Sequence, residues 1–340
     1  MEGFAYISIS DWITICYQVF GGCCANVFVL ENLITNNQSS YSLGSTITFG
    51  QFLVVTILSY FPNSDFKNSN WKRLYLKHSK IPIWKWIIPV TLYFINSLLN
   101  NLVWKYNISI PLHIVFRSSG TVVTMIVGYL FGGKTYNYHQ IMSSIIISLG
   151  TILATIPQGA KKEGSEISLE VDANFILGIA MLFVACILGA FMGLYNEDLY
   201  QAYGNQWQEG LFYSHLLSLP LFLVVSKTIY QEFLIILYDK NQTIQLFPGL
   251  ILSKQLVNLI INVFTQFMCI KGVNMLAGRT SALTVSIVLL VRKFISLIIS
   301  ILWYDNDFSK QTIIGTIAVF GGVAYYSISS IKRKIKKKNE

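Results

Sequence analysis

The sequence predicts an all-α membrane protein with ten transmembrane helices in two inverted five-helix repeats, and three observations carry that expectation. Of 340 residues, 53% are hydrophobic and only 12% charged, where soluble domains carry about 25% charged residues. Apolar runs long enough to cross a hydrocarbon core of about 30 Å recur along the chain, separated by short polar joints. An acidic joint near the middle divides the runs into two sets of five, each with cationic residues in its fourth run. An odd number of spans per half forces the halves into opposite membrane orientations, the plan of many secondary carriers.

The runs fall at 12–34, 43–61, 84–104, 108–131, 139–157, 174–196, 209–229, 250–271, 282–303 and 312–331. Glu2 and Asp11 precede the first, with no basic leader region or small-residue cleavage site, so it reads as a retained helix rather than a signal peptide. Residues 1–158 form the first repeat. Residues 159–173, with Glu163, Glu166, Glu170 and Asp172, form a connecting loop, 174–331 the second repeat and 332–340 a basic tail. Fifteen Lys and Arg fall in the joints and tail on the N-terminal side, against seven opposite. The positive-inside rule then puts both termini in the cytosol and the connecting loop in a lumen.

Composition also excludes. The net charge of +9 is concentrated in the tail and one joint, which points to topology rather than to nucleic acid. Cys16, Cys23, Cys24, Cys186 and Cys269 all lie within apolar runs and read as small packing residues rather than as a disulfide set. The four histidines and five cysteines show no metal-ligand spacing, and no phosphate loop or nucleophile–base pair appears. No enzyme, metal or cofactor is expected. Asn241-Gln242-Thr243 is the glycan acceptor pattern with the most loop around it.

Arg292 and Lys293 stand near the middle of the ninth run. A mid-membrane Arg or Lys costs about 2.5–3.5 kcal/mol on insertion scales, so the pair must face protein, water or an anion. Lys293 shares a helix face with Ser286, Ser296 and Ser300. In the fourth run Arg117 shares one with His113, Gly120, Thr121 and Thr124. A guanidinium fork and compact ammonium groups suit phosphate oxygens. The alternative is that these cations pair with buried carboxylates and only hold helices together.

Phe212-Tyr213-Ser214-His215 in the seventh run offers an aromatic face and hydrogen-bonding groups for a base, or else satisfied core residues. Asn26, Glu31, Gln51, Asn100, Asn101, Asn262, Thr265 and Gln266 are further polar groups at membrane depth, several of them interhelical contacts. Gly189 and Gly193 form a small-xxx-small pair fitting a close helix contact or a homodimer face. Lys337 and Lys338 stand fourth and third from the end. They resemble the dilysine retrieval signal of endoplasmic reticulum membrane proteins, which coat proteins bind, although a basic tail is also what topology alone produces.

Together Gly22-Cys23-Cys24-x-Asn26, Phe49-x-Gln51-Phe52, Pro111-Leu112-His113 with Phe116-Arg117-Ser118, Phe212-Tyr213-x-His215, Asn262-x-x-Thr265-Gln266 and Arg292-Lys293-Phe294 resemble the nucleotide-sugar transporter family of the drug/metabolite transporter superfamily. The resemblance covers nearly the whole chain and is nearest to the UDP-N-acetylglucosamine branch. It implies ten helices in inverted repeats and exchange of a cytosolic nucleotide sugar for UMP, in the endoplasmic reticulum or Golgi membrane. It also implies Lys293, Arg117 and Arg292 at the diphosphate, Tyr213, Ser214 and His215 near the base, and Asn26 and Gln266 in the cavity. Another UDP-sugar, such as UDP-xylose or UDP-glucose, or another phosphorylated metabolite remains the alternative. In related GDP-mannose carriers the seventh helix reads Phe-Tyr-Asn-Asn and the ninth Gly-Ala-Leu-Asn-Lys. Only the final lysine of the latter is kept here, at Lys293.

Overall fold

A computed structural model describes residues 8–35, 43–66, 75–102, 110–163, 173–238, 243–247, 250–303 and 310–339. Three segments run on from one another as the first rod: α1 (Ile9–Cys16), a π-helical stretch (Tyr17–Gly22) and α2 (Cys23–Thr35). Ser8 caps it, its hydroxyl accepting from the Asp11 amide at 3.1 Å. Then follow α3 (Gly44–Asn63), α4 (Trp84–Leu102), α5 (Ile110–Leu130), α6 (Tyr138–Glu163) and α7 (Ala173–Tyr203). The seventh rod is α8 (Trp207–Ser218), a 3-10 stretch (Leu219–Val225) and α9 (Ser226–Tyr238). Pro220, which has no backbone N–H to donate, sits at the start of that 3-10 stretch. The last rods are α10 (Lys254–Ala277), α11 (Ala282–Trp303) and α12 (Lys310–Asn339).

Among the described residues ten rods therefore stand where ten apolar runs were expected, and several are long and apolar enough to cross a membrane: Ile9–Leu30, Gly44–Asn63, Ile176–Tyr203, Trp207–Leu237 and Lys254–Ala277. The chain is a multi-pass helical membrane protein. One departure from an all-α fold is a short antiparallel hairpin, β1 (Thr243–Phe247) and β2 (Leu250–Ser253). It displaces the start of the eighth rod, expected at 250, to Lys254, because Ser253 caps α10 by accepting from the Leu256 amide. The same rod runs on to Ala277, so Lys271, which the sequence placed at a joint, lies inside a helix.

The chain forms two compact units, Met1–Val90 with Leu199–Arg279, and Thr91–Asp198 with Thr280–Glu340. Each draws on both sequence halves, and the boundaries fall within α4, within α7 and between α10 and α11.

In the first unit Leu33, Leu43, Ile47, Ile236, Leu259 and Val263 form the apolar core. Alongside it, the first rod and α10 approach very closely. A Cβ on Gly22 would stand 3.0 Å from the Met268 Cβ, and one on Gly272 only 2.7 Å from that of Gln18. This approach corrects the cysteine reading: Cys23 and Cys269 are joined by a disulfide, their Cα atoms 4.5 Å apart. Membership of an apolar run does not reveal which thiols face one another at a glycine-lined crossing. Cys16, Cys24 and Cys186 are not in disulfides.

In the second unit α12 lies along α6, with Gly150 against Ala318 and Gly322 against Ile147. Val127, Ala190, Leu194 and Ala282 form a small core. A Cβ on Gly193 would meet that of Ala282 at 3.6 Å, and one on Gly189 would meet the Asn96 amide at 3.7 Å. The small-residue pair is thus a helix contact inside the unit.

Candidate functional site

The second unit holds a cavity of about 280 Å³ built by α4, α5, α7 and α11. From α11 come Ser286, Leu289, Leu290 and Lys293, one face at helical spacing. Gly120, Thr121 and Thr124 line it from α5, Asn96 from α4, and Cys186 and Gly189 from α7. The cavity thus sets an ammonium among hydroxyls, an amide and two glycines. The Thr124 hydroxyl donates to the Gly120 carbonyl at 2.8 Å and lies 3.4 Å from the Ser286 hydroxyl.

The start of α11 is held from outside the helix. Glu197 accepts the Ala282 amide at 2.8 Å, and its other oxygen takes the Lys134 ammonium at 3.0 Å. Lys134 also meets Asp198 at 3.0 Å. A carboxylate at a helix N-terminus satisfies an otherwise orphaned amide and complements the helix dipole. Burial lowers the Lys134 pKa, but hydrogen bonds and charge from Asp198 and Glu197 outweigh it and leave the value raised. Tyr136 beside it is pushed up to about 12, by burial first and the Glu197 charge second.

The predicted residues divide. Lys293 lines the cavity, with Ser286 on its stripe. Arg292, its neighbour, is half-buried and not among the lining residues; its carbonyl accepts from the Ser296 hydroxyl. Ser300 and Arg117 lie outside the described side chains. Asn96 is a lining residue the sequence reading passed over. Its signal was a polar group one turn before the paired asparagines Asn100 and Asn101.

The base and polar-network candidates belong to the first unit. Phe212, Tyr213 and His215 are buried, and Ser214 is half-buried. His215 Nδ1 lies 2.7 Å from the Leu211 carbonyl, and its ring meets that of Phe52 at a tilt, centroids 4.7 Å apart. The Ser214 hydroxyl lies 3.2 Å from His215 Nδ1. These polar groups are engaged within their own unit. Asn26 is an interhelical contact: its amide donates to the Asn262 carbonyl at 2.9 Å and to the Thr265 hydroxyl at 3.3 Å. Gln51 joins the same network through Asn262 Oδ1 at 2.7 Å. Gln266 is half-buried on α10, one turn beyond Asn262. Glu31, Lys337 and Lys338 lie outside the described side chains, and Asn241 outside the described residues.

Comparison with known proteins adds a second line. The model of the UAA transporter family matches residues 11–330. The UDP-N-acetylglucosamine transporter YEA4 of Saccharomyces cerevisiae is 42% identical over 323 residues, 92% of this chain and 93% of the relative. The UDP-xylose and UDP-N-acetylglucosamine transporter of Danio rerio is 34% identical, covering 94% of this chain and 95% of the relative. A solved crystal structure, covering 94% of this chain and 98% of its own, superposes with a TM-score of 0.61 at 9% identity, a likeness of fold alone. A multi-pass helical chain with a cation-lined cavity, matched almost end to end by that model, belongs to the UAA transporter family.

Proposed function

We propose that this protein carries UDP-N-acetylglucosamine from the cytosol into the lumen of the endoplasmic reticulum in exchange for UMP, with the Golgi as the alternative membrane. The carrying observation is the 42% identity to a UDP-N-acetylglucosamine transporter over nearly the full chain. The Danio rerio relative, named for UDP-xylose as well, keeps UDP-xylose as the second reading.

Lys293 binds the diphosphate, helped by Arg117 from α5 and by Arg292. Tyr213, Ser214 and His215 stand near the base, and Asn26 and Gln266 contribute from α2 and α10. The five-helix repeats are inverted and rock about the bound solute. An empty cationic cavity is costly, so an anionic nucleotide lowers the barrier between the two facings and favours exchange over net flow. Both termini face the cytosol, where Lys337 and Lys338 recruit coat protein. The ion pair between Asp11 at the start of α1 and Arg279 just after α10 supports this topology, since it joins joints assigned to one side.

The test is uptake of labelled UDP-N-acetylglucosamine into liposomes loaded with UMP, with UDP-xylose, UDP-glucose and GDP-mannose as competitors. UMP-dependent uptake blocked by UDP-sugars but not by GDP-mannose is expected. An active preparation that exchanges none of them sinks the reading. Lys293→Ala should lower both UDP-sugar uptake and UMP exchange at least tenfold. A folded Lys293→Ala protein that exchanges UMP normally removes the phosphate assignment.

A further inference from the structure

We propose that a second cavity, in the first unit, binds an anionic phospholipid, with its phosphate on Lys271 and an acyl chain on the apolar wall. This cavity, of about 210 Å³, lies among α1, α3, α8 and α10. Leu211, Phe267 and Met275 supply apolar lining. Its hydroxyls and one amide are already committed. Thr14 donates to the Ser10 carbonyl at 2.9 Å, Ser59 to the Val55 carbonyl, and the Asn63 amide to the Ser59 and Gln208 carbonyls at 2.8 and 3.1 Å. Lys271, half-buried, has no hydrogen bond and no carboxylate at ion-pair distance among the described residues. One cation on mostly apolar walls, with the Trp207 and Gln208 side chains as the remaining donors, fits a single anionic head with an apolar tail. A nucleoside diphosphate, with charged oxygens strung along it, calls for several donors.

Placement agrees with the chemistry. Lys271 lies six residues before the end of α10, a rise of about 9 Å. Just past that end Arg279 is neutralised by Asp11 at 3.2 Å, so Lys271 sets the local sign. A lysine at this depth keeps its stem along apolar surface and extends its head to the level of lipid phosphates. The rim is lipid-facing in character: Thr14 and Pro62 are exposed, and next to them Ile13, Tyr17 and Phe61 are 60% exposed or more.

The test compares the full-length protein in nanodiscs of phosphatidylcholine alone with nanodiscs that also contain phosphatidylserine or phosphatidylinositol. Anionic lipid should raise the thermal midpoint of wild type and of Lys271→Arg. For Lys271→Met the shift should vanish while the midpoint in phosphatidylcholine stays unchanged. An undiminished shift in Lys271→Met overturns the proposal. So does loss of a UMP-induced shift in that variant with the lipid shift kept, which would make the phosphate a nucleotide's. A second measurement leaves Lys271 intact. Phosphatidylserine brominated on its acyl chain should quench the emission that Trp207→Phe removes, and do so more than brominated phosphatidylcholine; equal quenching rejects the site. Neither readout depends on which sugar nucleotide the protein carries.

Discussion

Gly120 weakens the helix it belongs to. Glycine in a helix interior costs about 0.5–1 kcal/mol relative to alanine. Elsewhere in this chain that cost goes with close packing, as where Gly22 and Gly272 let the first rod approach α10. Among the described residues, and leaving aside its own helix backbone, no atom stands within 4 Å of the place a Gly120 Cβ would occupy, and the residue lines the Lys293 cavity. The missing side chain therefore leaves room for solute rather than for a helix. Gly120→Ala is expected to hold or raise the thermal midpoint while raising the KM for nucleotide sugar several-fold, and Gly120→Leu to abolish uptake without unfolding the protein. Gly321 also has open space at its Cβ but lies off the cavity, so Gly321→Ala should leave KM unchanged. Equal effects at the two glycines would refute the assignment. Lys293 was readable in advance because charge inside an apolar run is conspicuous, whereas Asn96 needed the fold, because a lone amide at membrane depth is ordinarily a helix contact.

At the scale of elements, buried glutamates repeatedly hold the start of a helix. Glu197 accepts the Ala282 amide of α11, and Glu232 accepts the Thr46 amide of α3 at 2.8 Å. Removing such a partner leaves a buried amide unmet, at about 1–3 kcal/mol, so Glu197→Ala should destabilise by that amount, and Glu197→Gln by less. The raised Lys134 pKa has a definite sign. The folded protein holds that proton more tightly, so the contribution is complete below about pH 10.5 and is lost as pH rises past the folded value. Tyr136, raised to about 12, acts in the same direction, its contribution falling from about pH 10 upward. Lys134→Met should therefore be less stable than wild type at neutral pH and lose less stability between about pH 8 and 12, as followed by thermal midpoints. The bond between Cys23 and Cys269 makes another prediction. Alkylation of denatured, unreduced protein should modify three thiols, and reduction should expose all five. Five reactive thiols before reduction would show that the bond is not formed.

For the whole molecule, contacts within each unit tie together joints that alternate along the chain. In the first unit Glu209 accepts the Lys80 and Ile81 amides and the Ser79 hydroxyl, and Asp11 meets Arg279. In the second, Lys134 after α5 meets Glu197 and Asp198 near the end of α7. Single cysteines placed in 67–74 and beyond 330 should thus react with an impermeant reagent from one face of the membrane, and those in 36–42 and 304–309 from the other. Labelling of 36–42 and 67–74 from the same face would break the alternation on which the topology rests.

The number of rods, their membrane setting, the polar stripe around Lys293 and the family resemblance were all legible in the sequence, since they rest on composition, on helical periodicity and on residues adjacent in the chain. The hairpin before α10, the Cys23–Cys269 bond, the inward use of Gly189 and Gly193 and the cavity wall supplied by Asn96 were decided by tertiary structure. Each depends on which faces of sequence-distant helices meet, and how closely. An apolar run presents several plausible faces all around its helix, and only the packed neighbour selects among them.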